Sequence, residues 1–259
     1  MTSKYFWLQK DTNDLDLDIQ ILRSNLNRRD FEYLTFQELQ SRIDVESSQE
    51  IKNIVPVGDL DFVQLFLFKV YNISNMNSIE VPDILRTDNF LGRKYSIVSK
   101  ENLPKEGYYF VKYVSTLKQF SYTGLIERLH ASPDADSFLK PGLYQISQVI
   151  DIVSEYRCFV HNNQIIGIHY YDGKSDIFPD VNLIRFAIAK YSTCDYCPQS
   201  YTIDVAITRQ NDTCILEVHP WVSVGLYGYM FERWLPDCYE GGFDWYVNCN
   251  KKLNTFSNF

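Results

Sequence analysis

The apolar and polar positions in the first part of the chain predict a small α/β lobe. Short apolar runs at Lys4–Gln9 and Phe31–Phe36 have the length and composition of strands. The segment Leu15–Leu26 between them has the apolar spacing of a helix. A strand, a helix and a second strand in this order are the βαβ rhythm of an α/β fold.

The same rhythm continues beyond the second strand. A third strand is predicted at Ile54–Val57, and a helix at Leu60–Tyr71 follows the turn at Gly58. Asp59 or Asp61 is the expected N-cap of that helix, because a carboxylate accepts the free N–H groups of a first turn. Pro104 and the polar residues after it then mark a boundary between domains 1–104 and 105–259.

The second domain is predicted to be α+β, with shorter and more aromatic strands. The predicted strands are Tyr108–Tyr113, Ile146–Val153, Tyr156–Val160, Gln164–Tyr171, Tyr201–Thr208 and Thr213–Val218. The last two form a hairpin across the sequence RQND. Leu183–Tyr191 has helical spacing, and Leu117–Gly124 has the polar, Gly-ended character of a loop.

Composition and charge narrow the class of protein. The 259 residues are 45% hydrophobic and 22% charged, which is ordinary for a globular chain, and the net charge is −8. A negative chain is poorly suited to bind nucleic acid or an anionic membrane through its overall field, so neither partner is expected. No apolar run reaches the ~20 residues of a membrane span. We expect a soluble, cytoplasmic protein whose six cysteines, including the Cys194–Cys197 pair, are free thiols.

Two acids inside the last hairpin are candidate metal ligands. Asp204 in YTIDVAI and Glu217 in CILEVHP are each flanked by apolar residues. Buried carboxylates are costly without partners, and a divalent cation can hold two of them at one place. The alternative is two solvent-facing acids on an edge hairpin.

Two lysines are candidate phosphate contacts. Lys112 ends the strand YYFVKYV, and Lys118 begins KQFSYTG, a loop that contains Ser121, Thr123 and Gly124. Lysines on a strand and on a small-residue loop can contact a nucleotide's phosphates, with loop amides as further donors. Surface lysines are common, so solvated side chains are the alternative.

Glu155 and Arg157 in SEYRCFV lie two residues apart and therefore share one face of a strand. A guanidinium beside carboxylates suits a transferring phosphoryl group, because its fork matches phosphate oxygens. A structural ion pair is the alternative.

The order of these features resembles the ATP-grasp superfamily: a basic strand, a small-residue loop, a hinge strand, an E-x-R strand, and then an Asp and an E-x-H on a hairpin. The segments VPVGDLDFV, FLGRKY, QFSYTG, EYRCFV and LEVHPWVSVGLYGY further resemble a branch of ATP-grasp proteins associated with phages and bacteria. The resemblance covers about residues 54–230. It implies an N-terminal α/β lobe followed by two α+β lobes, about 105–145 and 146–259, that enclose ATP.

The resemblance also implies the residues of an ATP site. Catalytic roles fall to Arg157, Lys118 and His219. Nucleotide contacts fall to Arg93, Lys94, Lys112, Lys118, Ser121, Gly124, Gln145, Ile146, Ser147, Val149 and Glu155, with the positions 145–149 around the adenine. Mg²⁺ would be held by Asp204, Glu217 and His219, and Tyr227 and Tyr229 are candidates for the acceptor pocket.

His219 departs from the superfamily's pattern, which usually has Asn at this position. Magnesium prefers oxygen ligands, whereas an imidazole is better suited to Mn²⁺. The histidine can also hydrogen-bond a phosphate, mark reduced activity, or serve only in packing beside Pro220 and Trp221.

The implied activity is that of an ATP- and Mg²⁺-dependent carboxylate–amine ligase that forms an acyl phosphate and then an amide. Its substrates would be a carboxylate and an amine drawn from peptides, proteins or amino acids. An ATP-grasp phosphotransferase and a non-catalytic nucleotide-binding module are the alternatives.

Overall fold

The computed structural model of the chain describes residues 4–11, 16–26, 31–45, 51–74, 76, 80–115, 120–229 and 234–256. Three sheets are present in this part of the chain, with helices packed against them.

The first sheet is parallel and has the strand order β2-β1-β3. Its strands are β1 (Tyr5–Gln9), β2 (Phe31–Leu34) and β3 (Ile54–Val57), and its helices are α1 (Leu17–Ser24), α2 (Phe36–Val45) and α3 (Leu60–Tyr71). The predicted βαβ rhythm is therefore present. Asp59 is the N-cap of α3 and accepts a hydrogen bond from the Phe62 amide at 2.8 Å.

The second predicted strand is too long at its end. The side chain of Thr35 accepts from the Glu38 amide at 3.2 Å, and the Glu38 carboxylate accepts from the Thr35 amide at 2.7 Å. This reciprocal capping box starts α2 at Phe36, the residue that the apolar pattern assigns to β2.

The second sheet is antiparallel and has the order β4-β7-β5-β6. Its strands are β4 (Tyr95–Ser99), β5 (Tyr108–Tyr113), β6 (Ser121–Leu125) and β7 (Leu143–Gln148). Because β4 precedes Pro104 and its partners follow it, this sheet spans the boundary expected at residue 104. The loop prediction was wrong at 121–124, because these polar residues form an edge strand paired with β5.

The third sheet is antiparallel and has the order β11-β10-β8-β9. Its strands are β8 (Ile152–His161), β9 (Gln164–Gly173), β10 (Ser200–Thr208) and β11 (Thr213–Pro220). The strand predicted at Ile146–Val153 is divided between β7 and β8. Residues 149–151 carry the chain from the second sheet to the third, which breaks the strand.

The remaining helices are α4 (Asp88–Leu91), α5 (Ile126–His130), α6 (Ala135–Phe138), α7 (Val181–Tyr191) and α8 (Leu235–Phe256). Short 3₁₀ turns cover Asp83–Leu85 and Lys100–Asn102. No helix within the described residues combines the length and apolarity needed to cross a bilayer.

The segment after β11 joins the third sheet to the N-terminal lobe. Trp221, Val224 and Leu226 are buried in the same apolar cluster as Ile19 and Leu22 of α1. The residues that follow the E-x-H motif are thereby packed against the first helix of the chain.

Candidate active site

A cavity of about 910 Å³ lies between the second and third sheets. Its wall contains most of the positions predicted from the sequence. These are Arg93, Lys112, Ser121, Gln145, Ser147, Val149, Glu155, Arg157, Asp204, Glu217 and His219.

Four predicted positions are not part of this wall as described. Lys94 is exposed, and Gly124 is buried away from the cavity lining. The Ile146 side chain packs with Val111 and Tyr144 in the core of the second sheet. Alternate residues of a strand point to opposite faces, so Gln145 and Ser147 face the cavity while Ile146 faces the core. Lys118 lies outside the described residues.

The centre of the site is set by strand register. Asp204 on β10 lies opposite Glu217 on β11 and opposite Arg157 on β8. Side chains of directly opposed residues lie on the same face of a sheet. The register therefore brings both acids and the arginine together, as the hairpin prediction required.

Arg157 binds the Asp204 carboxylate with both edges of its fork. Nε donates to Oδ1 at 2.8 Å, and Nη2 donates to Oδ2 at 2.7 Å. Asp204 is 4% exposed, so this pairing compensates a charge that would be costly on its own. The other guanidinium nitrogen, Nη1, donates to the Gly225 carbonyl at 2.9 Å.

Asp204, Glu217 and His219 form a cluster with the donor atoms of a cation site. His219 Nε2 lies 2.8 Å from Glu217 Oε2 and 3.5 Å from Asp204 Oδ2. One ligand atom from each of the three residues lies within 4.8 Å of the others. Two carboxylates and an imidazole at this separation fit a divalent cation.

The cluster is strongly coupled. Burial by itself would lower the pKa of His219, but its hydrogen bonds and charge interactions with Asp204 and Glu217 leave the pKa raised. Burial would raise the pKa of Glu217, yet His219 and Lys112 outweigh it and hold the pKa well below its usual range. The carboxylates are thus ionised and their charge is balanced by neighbouring cations.

Lys112 reaches the cluster from the second sheet. Its Nζ lies 3.0 Å from Glu217 Oε1 and 4.0 Å from Glu80 Oε1. Burial would lower its pKa, but these two carboxylates raise it, so the lysine is a cation. The sequence reading missed Glu80, because it lies before the second sheet and belongs to no strand pattern.

Arg93 lines the cavity but its guanidinium is occupied by backbone. Nη1 donates to the carbonyls of Leu91 at 3.0 Å and Ile215 at 2.7 Å, and Nη2 donates to the carbonyl of Leu216 at 3.3 Å. Burial lowers its pKa. These bonds tie the segment before β4 to β11 and leave Arg93 with a structural function in this conformation.

Gln145 has an unused acceptor inside the cavity. Its side chain is 2% exposed, and Oε1 has no hydrogen-bond partner. It lies directly opposite Lys112 in the pairing of β7 with β5. A buried amide oxygen without a donor is unfavourable, so a ligand that supplies a donor would relieve it.

Two tyrosines stack at one side of the site. The rings of Tyr171 and Tyr227 are 5.0 Å apart at 15°, and the Arg157 guanidinium lies 4.9 Å from the Tyr227 ring. The Tyr171 hydroxyl donates to Glu155 Oε2 at 2.6 Å. Burial and neighbouring acids outweigh that bond and raise the pKa of Glu155.

The tyrosines also divide the sequence predictions. Tyr227 lines the cavity, as expected for an acceptor pocket. Tyr229 does not, because its ring stacks on Phe159 at 4.9 Å and its hydroxyl donates to the Ile166 carbonyl at 2.9 Å. Tyr171 was not predicted, since a tyrosine in an amphipathic strand carries no distinguishing signal.

Solved structures of ATP-grasp ligases share this fold. D-alanine–D-alanine ligase from Bacillus anthracis complexed with ATP is 13% identical, with a TM-score of 0.51 over 97% of this chain and 98% of that one. The ATP-grasp ligase PsnB, complexed with a minimal precursor, is 10% identical, with a TM-score of 0.55 over 94% and 99%. D-cycloserine synthetase DcsG is 10% identical, with a TM-score of 0.55 over 96% and 99%. No curated protein sequence matches the chain significantly.

The sequence itself defines the family. Residues 90–235, more than half of the chain, match the model of an ATP-grasp domain, family 2 of its clade. The protein therefore belongs to this family of ATP-grasp domains. The match begins just before β4 and contains every strand of the second and third sheets, so it covers both walls of the cavity.

Proposed function

We propose that the protein is an ATP- and Mg²⁺-dependent ligase that joins a carboxylate to an amine through an acyl phosphate. The observation that carries this proposal is the convergence of Asp204, Glu217 and His219 with Lys112 and Arg157 in one cavity. Membership of the ATP-grasp family and the ligase fold of the structural neighbours support it.

The cavity fits a nucleotide triphosphate in size and in chemistry. Its volume of about 910 Å³ lies at the upper end of typical small-molecule sites. Lys112 supplies positive charge for phosphate oxygens, and Gln145 supplies an acceptor for an amino group of the base. Ser147 and Val149 flank Gln145 on the cavity wall and would contact the adenine.

Asp204, Glu217 and His219 would hold the divalent cation. Bound there, Mg²⁺ supplies charge that neutralises the phosphates and polarises the transferred group. His219 also hydrogen-bonds Glu217 in this structure, so it positions that carboxylate besides offering a ligand atom. Lys112 shares Glu217 with the cation site and keeps its charge beside the phosphates.

Arg157 is proposed to stabilise the phosphoryl group during its transfer to the substrate carboxylate. A guanidinium has five N–H donors, and three bonds to Asp204 and Gly225 are formed in this structure. The remaining donors are available to phosphoryl oxygens. The amine then displaces phosphate from the acyl phosphate, so the enzyme needs no covalent nucleophile of its own.

Tyr227 and Tyr171 are proposed to border the acceptor site. Tyr227 is half exposed, lines the cavity and stacks on Tyr171 beside the guanidinium of Arg157. A substrate carboxylate that approaches Arg157 from this side would contact the tyrosine pair.

The direct test is trapping of the acyl phosphate. The full chain, ATP and Mg²⁺ are incubated with a panel of amino acids and peptides, with hydroxylamine as the amine. A ligase gives a hydroxamate together with ADP and inorganic phosphate, in amounts that depend on the carboxylate. ADP with a stable phosphate ester and no free phosphate would identify a phosphotransferase, and tight binding of a non-hydrolysable ATP analogue without ADP release from ATP would identify a binding module.

A further inference from the structure

Asp18 of α1 contacts the segment that follows the metal-ligand strand. Its Oδ2 accepts a hydrogen bond from the backbone amide of Leu226 at 2.8 Å. The cap of α1 is Asp16, whose side chain accepts from the Asp18 amide at 2.8 Å. The carboxylate of Asp18 is therefore not required to cap its own helix and is directed toward residues 225 and 226.

The bonded amide is one peptide away from the active site. The carbonyl of Gly225, which belongs to the same peptide group as the Leu226 amide, accepts from Arg157 Nη1 at 2.9 Å. Arg157 in turn holds Asp204 through its fork. One peptide group thus joins the first helix of the chain to the arginine of the candidate active site.

The backbone of this segment depends on outside contacts. Ser223 has φ of 54° and Tyr227 has φ of 52°, in the left-handed region that residues with a side chain rarely adopt. Such conformations persist where the surrounding structure fixes them. Asp18 supplies one anchor, and the Ser223 hydroxyl supplies another by donating to the Gly58 carbonyl at 3.4 Å.

The electrostatic surroundings of Asp18 agree with this geometry. Burial raises its pKa, while the Leu226 amide and the charge of Arg157 act in the opposite direction. A half-buried carboxylate that is stabilised by the arginine and by the peptide it binds is suited to hold that peptide.

We propose that Asp18 is a positioning residue, which fixes the Gly225–Leu226 peptide and thereby orients the Arg157 guanidinium toward the transferred phosphoryl group. This assignment rests on the proposed function for its effect on turnover, but its effect on Arg157 can be measured without any reaction. It gives the N-terminal lobe, which lies outside the matched family segment, a part in the active site.

The first test is the Nε–H resonance of Arg157 in the full-length protein without nucleotide. The resonance is assigned by its loss in Arg157→Lys and compared among wild type, Asp18→Ala, Asp18→Asn and Asp16→Asn. We expect a shift or broadening in Asp18→Ala and a smaller change in Asp18→Asn, whose amide oxygen is still an acceptor. Asp16→Asn removes the same charge two residues away and retains a capping side chain, so it should leave the resonance in place.

The second test is ADP release from ATP and Mg²⁺. We expect Asp18→Ala to lower kcat by about tenfold to a hundredfold, with KM for ATP within about twofold, because misplaced groups slow a reaction more than they weaken binding. Asp18→Asn should recover part of kcat. In an Arg157→Lys background, Asp18→Ala should cost much less than in wild type, since both changes act through one guanidinium.

The outcomes separate this inference from the proposed function. An unchanged Arg157 resonance in a folded Asp18→Ala protein would overturn the inference, as would fully additive losses or a rise in KM with kcat intact. If wild type releases no ADP, the proposed function fails and the resonance alone decides the positioning role. If Asp18→Ala does not fold, the same comparison is made with Asp18→Asn, and an unchanged resonance there would count against the inference.

Discussion

Arg157 and Asp204 lie opposite each other on β8 and β10, and the guanidinium holds the carboxylate through hydrogen bonds of 2.8 and 2.7 Å. Neither charge is accessible enough to be solvated well, since the side chains are 9% and 6% exposed. Breaking such a pair leaves a buried charge uncompensated, which is more costly than losing an exposed ion pair. The same pair also lies at the centre of the candidate active site, so its geometry affects both stability and turnover.

We expect Arg157→Lys to slow ADP release by at least about tenfold, because one ammonium cannot reproduce the bidentate geometry of a guanidinium. The positive charge beside Asp204 is retained, so the protein should still fold. Rates are to be compared at matched folded fractions, checked by thermal unfolding. An unchanged rate would remove Arg157 from the phosphoryl site.

We expect Lys112→Ala to reduce ADP release by about a hundredfold or more, since it removes a fixed positive charge from a buried site. Lys105→Ala is the matched control, because Lys105 is an exposed lysine of the same region. Binding of a non-hydrolysable ATP analogue, measured by calorimetry, should weaken in the first variant only. Equal rates in the two variants would exclude Lys112 from the nucleotide site.

We expect Glu217→Ala to abolish turnover by removing a cation ligand and the partner of both Lys112 and His219. Glu240→Ala, in a half-buried carboxylate of α8 remote from the cavity wall, is the comparison. Mg²⁺-dependent binding of the ATP analogue should be lost in the first variant and kept in the second. Retained Mg²⁺ dependence in Glu217→Ala would contradict the metal assignment.

The centre of this site could be predicted from the sequence because each clue was local. Asp204 and Glu217 are polar exceptions within apolar strands, and the short RQND turn fixes their strands as a hairpin, so pairing places them face to face. The E-x-R spacing likewise places Arg157 on one face of β8. The observed strand register agrees with these placements.

Other features depend on contacts between distant segments and left no local signal. Asp18 lies 208 positions from Leu226 in sequence, and Glu80 reaches Lys112 from outside any strand. Arg93 looks like a phosphate ligand in FLGRKY, yet three carbonyls occupy its guanidinium. Tertiary packing decides each of these cases, and neither periodicity nor composition reports it.

We expect Gln145→Met to separate stability from nucleotide binding. The substitution keeps the side chain's volume and removes a buried acceptor that has no partner. An unpaired buried polar group costs about 1–3 kcal/mol, so the free energy of unfolding without nucleotide should stay equal or rise. Affinity for the ATP analogue should fall, since the base loses its acceptor. Denaturant unfolding and calorimetry measure the two quantities, and a less stable protein with unchanged affinity would refute this role of Gln145.

The pH dependence of the metal-free protein should reveal the carboxylate–imidazole cluster. Although burial opposes it, the two carboxylates raise the pKa of His219 above its usual 6.5. A pKa that is higher in the folded state adds stability that is fully present below pH 6.5 and is lost as pH rises through the folded-state pKa. His219→Asn should remove this dependence from the free energy of unfolding.

The same histidine should respond to the cation. Mg²⁺ at Asp204 and Glu217 replaces the charge that favours the imidazolium, so bound Mg²⁺ should lower the pKa of His219 and release a proton. Histidine ring resonances followed from about pH 5 to 9, with His219 assigned by its absence in His219→Asn, measure both effects. His169 is the internal control, because it lies on β9 and outside the cluster. If His219 titrates at or below 6.5 without metal, or if Mg²⁺ raises its pKa, then the imidazole is not coupled to the two carboxylates as the 2.8 Å contact to Glu217 implies.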